Sequence, residues 1–239
     1  MPPLRIFLNT NFWVELVYSF VTLISCLIIY FKTSEIYKLS SHKGLKYFRL
    51  TFLFLGITYL LRFLVKLFLL NLVISGTHLP RMGMMNTLGG VGSLTSFLLL
   101  YTNFMTVFYL LYGLSTKKFN KFLPKSTDIL HISAVILASM IWFLGIPIIL
   151  LTVNLPLLVY ILSIGYLNYR ESKKKKVPQF QVVYFLLVVF LMLNVVDILL
   201  PNFFRTLQNL IYVVSISIIL TIVYKVLKIL SVDPNGKKK

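Results

Sequence analysis

The sequence has 239 residues, of which 58% are hydrophobic, and its mean hydropathy is +0.88. Soluble globular domains are about 45–50% apolar, so this composition excludes an ordinary soluble domain and indicates a membrane protein. The 24 Lys and Arg residues against six Asp and Glu give a formal charge of +18, which would suggest nucleic acid as a partner if the chain were soluble.

Apolar runs of about 20 residues, the length that a membrane-spanning helix needs, recur along the whole chain. They predict an all-α fold, a seven-helix bundle forming one transmembrane domain over residues 1–239. The predicted spans are 11–31, 50–74, 89–113, 128–145, 148–168, 179–200 and 206–228. Between the fourth and fifth spans the apolar sequence is almost unbroken. A turn at Gly145-Ile146-Pro147 is expected there, because Gly permits unusual backbone angles and Pro suits a first helical turn.

The basic residues cluster in alternate connections between the predicted helices. The segments 32–49, 117–125, 170–176 and 225–239 hold 19 of the 24, whereas the other side holds Arg5, Arg81 and Arg205. The positive-inside rule then predicts an external N-terminus and a cytoplasmic C-terminus in the plasma membrane. Charge spread over four segments argues against nucleic acid and makes anionic lipid at the cytoplasmic face the expected partner.

Two cations lie inside the second predicted span. Arg62 is about twelve residues into it, roughly 18 Å deep at 1.5 Å per residue, and Lys66 follows one turn later on the same face. A cation at mid-span costs about 2.5–3.5 kcal/mol on insertion scales, so such groups normally face inward and have partners.

The acidic residues inside spans are Glu15 and Asp197, and both lie near the outer ends of their helices. The sequence therefore predicts a buried polar cluster in the outer half, formed by Arg62, Lys66, Glu15 and Asp197 and extended by Asn194, Asn103 and Asn154. Two interpretations stay open. The cluster is either an ion-pair network that fixes helix order or a binding site for a small anionic or zwitterionic ligand.

Other local signals are weaker. Thr33 and Ser34 before Glu35 predict the N-cap of a short helix lying at the membrane interface, with a solvated basic loop as the alternative. His131 is expected to be a packed or interfacial histidine. Because no Walker motif, zinc-ligand spacing or phosphate-binding Gly-rich loop occurs, we expect no catalytic residues, no metal and no cofactor.

A basic first connection leads into an aromatic-rich second helix with the sequence KGLKYFRLTFLFLG. Together with seven helices and an external N-terminus, this stretch resembles the membrane-embedded sensor regions that head some prokaryotic histidine kinases. The resemblance covers mainly residues 20–66, and the kinase part is missing. It implies a sensor that responds to a ligand and passes the signal to a cytoplasmic module.

The expected function is therefore that of a receptor-like sensor, not an enzyme. It would bind a small ligand in the outer half and signal to a separate cytoplasmic partner, since both terminal tails are short. One alternative is a small-solute transporter or channel with a path past Arg62 and Asp197. Another is a structural membrane subunit.

Overall fold

The computed structural model describes residues 10–40, 43–74, 83–114, 127–144, 147–172, 179–199 and 205–231. These ranges are all helical and contain no strand, so the predicted all-α fold is confirmed. The helices are α1 (Thr10–Ser40), α2 (Lys43–Ile74), α3 (Gly83–Leu114), α4 (Thr127–Leu144), α5 (Pro147–Ser172), α6 (Gln179–Leu199) and α7 (Arg205–Ser231). Arg5, Arg81 and the predicted turn at Gly145 and Ile146 lie outside the described residues.

Five of these helices contain a segment long and apolar enough to cross a membrane. The segments are Phe12–Glu35, Gly44–Phe68, Gly92–Leu114, Thr127–Leu144 and Leu207–Ile229. In α5 and α6 the apolar stretches are shorter, Thr152–Leu167 and Val182–Asp197. The chain is thus a multi-pass helical membrane protein, and crossing by α5 and α6 stays a prediction.

The first two helices are longer than predicted on the side of their basic connection. With 31 and 32 residues, each is about 46–48 Å long, whereas the hydrocarbon core of a bilayer is about 30 Å thick. Hydropathy locates the end of a membrane span, but a helix continues into water as long as its backbone hydrogen bonds continue. The predicted N-cap at Thr33 is therefore wrong: its hydroxyl donates to the Ile29 carbonyl at 2.6 Å, inside α1.

Six helices form a closed ring in which α1 packs on α2, α2 on α3, α3 on α5, α5 on α6, α6 on α7, and α7 on α1. Successive helices run antiparallel, as contacts such as Trp142 with Ser93 and Tyr109 with His131 show for α3 and α4. We call the end where α1, α3, α5 and α7 finish the basic end, because it carries Lys46, Arg49 and Arg170.

The fourth helix packs against α3 from outside the ring. Its contact face is a stripe of four buried residues one helical turn apart, Leu130, Ala134, Ala138 and Ile141. Small side chains in such a stripe let two helices approach closely within a membrane. Most other α4 side chains are exposed, and Phe143 reaches 79%.

The half of the ring nearest the basic end is filled by packed apolar side chains. They include Leu23, Cys26 and Ile29 of α1, Phe48, Phe52 and Leu55 of α2, Val183 and Leu187 of α6, and Ile219, Ile222 and Val226 of α7. The close approach of α1 and α2 uses Gly56, where a Cβ atom would lie 3.4 Å from the Cβ of Cys26. Conversely, more than thirty large apolar side chains are exposed, which fits contact with lipid.

At the basic end, Arg49 joins α1 to α2. Its Nη1 donates to the Ser34 hydroxyl at 2.9 Å, and its guanidinium lies 5.2 Å from the ring centroids of both Tyr30 and Tyr37. Cation–π contacts of this kind are worth about 0.5–1 kcal/mol at exposed sites. Only residues 41 and 42 separate the two helices in sequence, so this contact joins α1 and α2 next to their short connection.

The predicted orientation can be tested with single cysteines. Cys26 is the chain's one cysteine, so Cys26→Ala gives a background without thiols. In right-side-out membranes, a membrane-impermeant maleimide should label Pro3→Cys and should label Asn235→Cys only after permeabilisation, because the basic connections should face the cytoplasm. Labelling of both cysteines from the same side would contradict the predicted topology.

Candidate functional site

Nine polar or charged side chains meet in the half of the ring remote from the basic end. They come from four helices, and we call them the polar layer. It consists of Glu15 and Tyr18 of α1, Tyr59, Arg62 and Lys66 of α2, Asn194 and Asp197 of α6, and Gln208 and Tyr212 of α7.

Helical spacing brings these side chains to common faces. On α2, Tyr59, Arg62 and Lys66 follow each other at three and four residues, the spacing of neighbours on one side of a helix. The same spacings separate Glu15 from Tyr18 and Asn194 from Asp197. Each helix therefore turns one short polar stripe toward the others.

The centre of the layer is the side chain of Asn194. Its Oδ1 accepts hydrogen bonds from the Tyr18 hydroxyl at 2.9 Å and from the Tyr59 hydroxyl, and the two hydroxyls lie 2.5 Å apart. Its Nδ2 donates to the Phe190 carbonyl at 2.7 Å, one turn earlier in α6. One carbonyl oxygen has two lone pairs, so a single amide satisfies two tyrosines from two other helices.

Asp197 is held by the seventh helix. Gln208 donates from Nε2 to Oδ1 of Asp197 at 3.1 Å, and the Tyr212 hydroxyl donates to Oδ2 at 3.3 Å. The Tyr212 ring stacks on the Tyr18 ring with centroids 4.9 Å apart, which connects this carboxylate to the Asn194 group. Both oxygens of Asp197 thus have donors from α7.

Lys66 and Glu15 form an ion pair between α2 and α1. The Nζ of Lys66 lies 2.6 Å from Oε2 of Glu15, and the two side chains are 24% and 27% exposed. The same ammonium lies 5.6 Å from the centroid of the Phe12 ring. Lys66 and Glu15 are therefore paired with each other, and both side chains are only partly covered by protein.

Arg62 has a different environment. Its guanidinium lies over the Tyr59 ring, 5.4 Å from the centroid. Asp197 and Glu15 are near enough to interact with it electrostatically, but within the described part of the chain no carboxylate lies within the 4.0 Å of an ion pair. The predicted inward position of Arg62 thus comes with an aromatic contact instead of a direct acidic partner.

Two residues of the predicted cluster make no hydrogen bond with the layer among the described residues. Asn103, half-buried on α3, makes no hydrogen bond with the layer residues, and Asn154 on α5 is fully buried with neither amide atom hydrogen-bonded among the described residues. No hydrogen bond among the described residues joins either asparagine to Arg62, so their membership of the cluster stays a prediction.

The sequence interpretation missed four members of the layer. Tyr18, Tyr59 and Tyr212 resemble the many other tyrosines of the chain, and nothing in a single sequence marks these three as buried at one depth. Gln208 was recognisable as a polar residue at the start of an apolar run, one helical turn before Tyr212. Helix positions alone could have aligned that pair with Asp197.

A second polar group links α3 to α4 nearer the basic end. His131 contacts the Tyr101 hydroxyl through Nδ1 at 2.7 Å and the Tyr109 hydroxyl through Nε2 at 3.0 Å. A neutral imidazole has one donor and one acceptor nitrogen, so one tyrosine donates to the ring and the other accepts from it. In the described residues, no three His, Cys, Asp or Glu side chains come together as a metal site would require.

The chain is similar along most of its length to an archaeal protein. The chain is 32% identical over 220 residues to a protein of Archaeoglobus fulgidus whose name reads "Uncharacterized protein", and the match covers 90% of this chain and 91% of that one. The chain belongs to the same family as that archaeal protein. No family model and no solved structure matches the chain.

The central role of Asn194 can be measured as stability. Asn194→Leu leaves the Tyr18 and Tyr59 hydroxyls without their common acceptor, so we expect unfolding free energy to fall by about 1–2 kcal/mol, the range for hydrogen bonds between membrane helices. The measurement is reversible unfolding of the purified protein in detergent micelles.

The matched control is Asn103→Leu, the same change at a half-buried position outside the layer. We expect it to alter the unfolding free energy by less than about 0.5 kcal/mol. Equal destabilisation by the two substitutions would show that the Asn194 hydrogen bonds contribute nothing beyond the loss of an amide.

Proposed function

We propose that this protein is a receptor-like sensor of the plasma membrane. It binds a small anionic or zwitterionic ligand at Arg62, in the half of the bundle remote from the basic end. Binding changes the relative positions of α1, α2, α6 and α7, and a separate cytoplasmic partner detects that change at the basic end. The role is one of binding, not of catalysis.

The environment of Arg62 carries this proposal. The two carboxylates of the layer are engaged elsewhere, Glu15 by Lys66 and Asp197 by Gln208 and Tyr212. Arg62 contacts an aromatic ring and has no ion pair within the described residues. A guanidinium has five N–H donors, and leaving such donors without hydrogen-bond acceptors at membrane depth costs free energy.

The ligand class follows from this chemistry. A planar guanidinium binds carboxylate or phosphate oxygens through two parallel hydrogen bonds, and the Tyr59 ring beneath it limits its orientations. An ammonium group on the same ligand would be attracted to Glu15 or Asp197. The site therefore suits amino acids, betaines and small organic acids or phosphates.

Signal transfer can use the connections of the layer. A ligand that draws Arg62 away from Tyr59 acts on α2. The Tyr59 hydroxyl of this helix also contacts Tyr18 of α1 and Asn194 of α6. A ligand shifts such an equilibrium only by its difference in affinity for the two arrangements. The resemblance of KGLKYFRLTFLFLG to kinase-associated sensor regions supports an output through the α1–α2 hairpin.

A transporter with a path past Arg62 and Asp197 is the second candidate, since its solute would meet the same charged groups. Apolar packing below the layer weighs against it. Phe48, Phe52 and Leu55 are at most 3% exposed and occupy the continuation of α2 toward the basic end. A solute path there would require these side chains to separate, whereas a receptor keeps them packed.

Accessibility of position 62 separates these two candidates. In the Cys26→Ala background, we expect Arg62→Cys to react with an impermeant methanethiosulfonate reagent added on the N-terminal side and not with reagent added on the basic side. Reaction from both sides would favour the transporter. Protection from both sides, in a variant shown to be folded by gel filtration, would contradict an open ligand site.

Ligand binding itself can be tested by thermal stabilisation of the purified protein. The probes are a panel of amino acids, betaines, dicarboxylates and phosphate esters. A binding compound should raise the melting temperature of the parent protein and not that of Arg62→Gln. The matched control is Arg49→Gln, which removes an arginine from tyrosine rings at the other end of α2 and should retain the response. A compound that stabilises Arg62→Gln as strongly as the parent binds elsewhere.

A further inference from the structure

An apolar groove lies between α5 and α6 in the half nearest the basic end. Its volume is about 490 Å³, within the range of roughly 300–1,000 Å³ typical of small-molecule sites. It is lined by Leu114, Ile161, Leu162, Gly165, Tyr166, Val182, Tyr184, Phe185 and Val188. The one hydroxyl of its inner wall, that of Tyr184, donates to the Gly113 carbonyl at 3.4 Å, so the wall offers an occupant few polar groups.

The floor and the mouth of this groove differ in exposure. Ile161, Val188 and Leu114 are at most 5% exposed and form the floor. Tyr166 and Phe185 are 67% and 57% exposed and stand at the mouth, one on each helix. The groove therefore opens sideways onto a surface of exposed apolar side chains, where membrane lipid is the neighbouring material.

Gly165 creates part of the free volume. A Cβ atom built at this position would meet no atom within 4 Å, so the first carbon of a side chain has open space here. Gly92 on α3 has equally open surroundings but does not line the groove. The two glycines form a matched pair for substitution.

Positive charge adjoins the groove at its basic end. Arg170 lies in the last turn of α5, is exposed, and follows Gly165 by five residues, about 7.5 Å along the helix axis. In the sequence, Glu171 and Ser172 follow Arg170, and then come Lys173, Lys174, Lys175 and Lys176. A lipid whose chain lies in the groove would have its headgroup at the level of Arg170, and an anionic headgroup is attracted there.

We propose that the α5–α6 groove is a binding site for one hydrocarbon chain of an anionic membrane lipid, whose headgroup is bound by Arg170. The site is independent of the polar layer and of the proposed ligand at Arg62. The lipid chain would fill a space between α5 and α6, whose apolar stretches are shorter than those of the other five helices. It thereby contributes apolar contacts between α5 and α6.

The test measures which lipid occupies the groove. The full chain carries Trp13→Phe and Trp142→Phe, and Tyr166→Trp at the mouth supplies the fluorescent reporter. The protein is reconstituted in phosphatidylcholine vesicles with a minor fraction of phosphatidylglycerol, with bromine atoms on the chains of one lipid or the other. Per mole of lipid, we expect brominated phosphatidylglycerol to quench the reporter at least about fivefold more strongly than brominated phosphatidylcholine. A fivefold preference corresponds to about 1 kcal/mol, the attraction expected between one cation and an anionic lipid surface.

Two variants locate the selectivity. Gly165→Phe fills the groove and should abolish the preference, whereas Gly92→Phe should retain it. Arg170→Gln leaves the apolar wall intact and should lower the preference about fivefold, which keeps the test valid if Gly165→Phe fails to fold. Equal quenching by the two lipids in the parent protein would mean that ordinary surrounding lipid is sampled, and would overturn the proposal. Retained selectivity in Gly165→Phe, or a reporter shielded from both lipids by a second copy of the chain, would overturn it as well.

Discussion

A polar group at membrane depth needs a partner within the protein, because the hydrocarbon supplies none. The Asn194 side chain meets that requirement for three helices at once. Its oxygen accepts from Tyr18 and Tyr59, and its nitrogen returns to the carbonyl of Phe190. The mutual positions of α1, α2 and α6 depend on this amide, and α7 joins through the stack of Tyr212 on Tyr18.

The charged residues of the polar layer also need partners within the protein, and each has a different kind of partner. Lys66 has Glu15, and Asp197 has Gln208 and Tyr212, so these groups stabilise the order of the helices. Arg62 lies among them with an aromatic ring as its close contact. The proposed binding therefore concerns the guanidinium of Arg62, whereas the contacts of Lys66 and Asp197 fit an ion-pair and hydrogen-bond network between helices.

The helices could be predicted from the sequence because hydropathy reports the bilayer directly. Apolar runs located all seven, but α1 and α2 continue beyond the predicted ends into a charged segment, and α3 begins six residues before its predicted start at 89. Arg62, Lys66, Glu15 and Asp197 could be singled out because charges are rare inside spans. Depth could be inferred from residue counting, whereas the neighbours of each helix could not. Asn103 and Asn154 make no hydrogen bond with the layer among the described residues, and the three tyrosines of the layer could be recognised only from their contacts.

The length of α1 and α2 has a mechanical consequence. Both helices exceed the hydrocarbon thickness by about 16 Å, so an upright helix of this length extends beyond the hydrocarbon. Arg49 bridges the two helices through Ser34, Tyr30 and Tyr37. A small tilt at the level of Tyr18 and Tyr59 would therefore be amplified along these long helices, and its largest displacement would occur at their ends nearest Arg49.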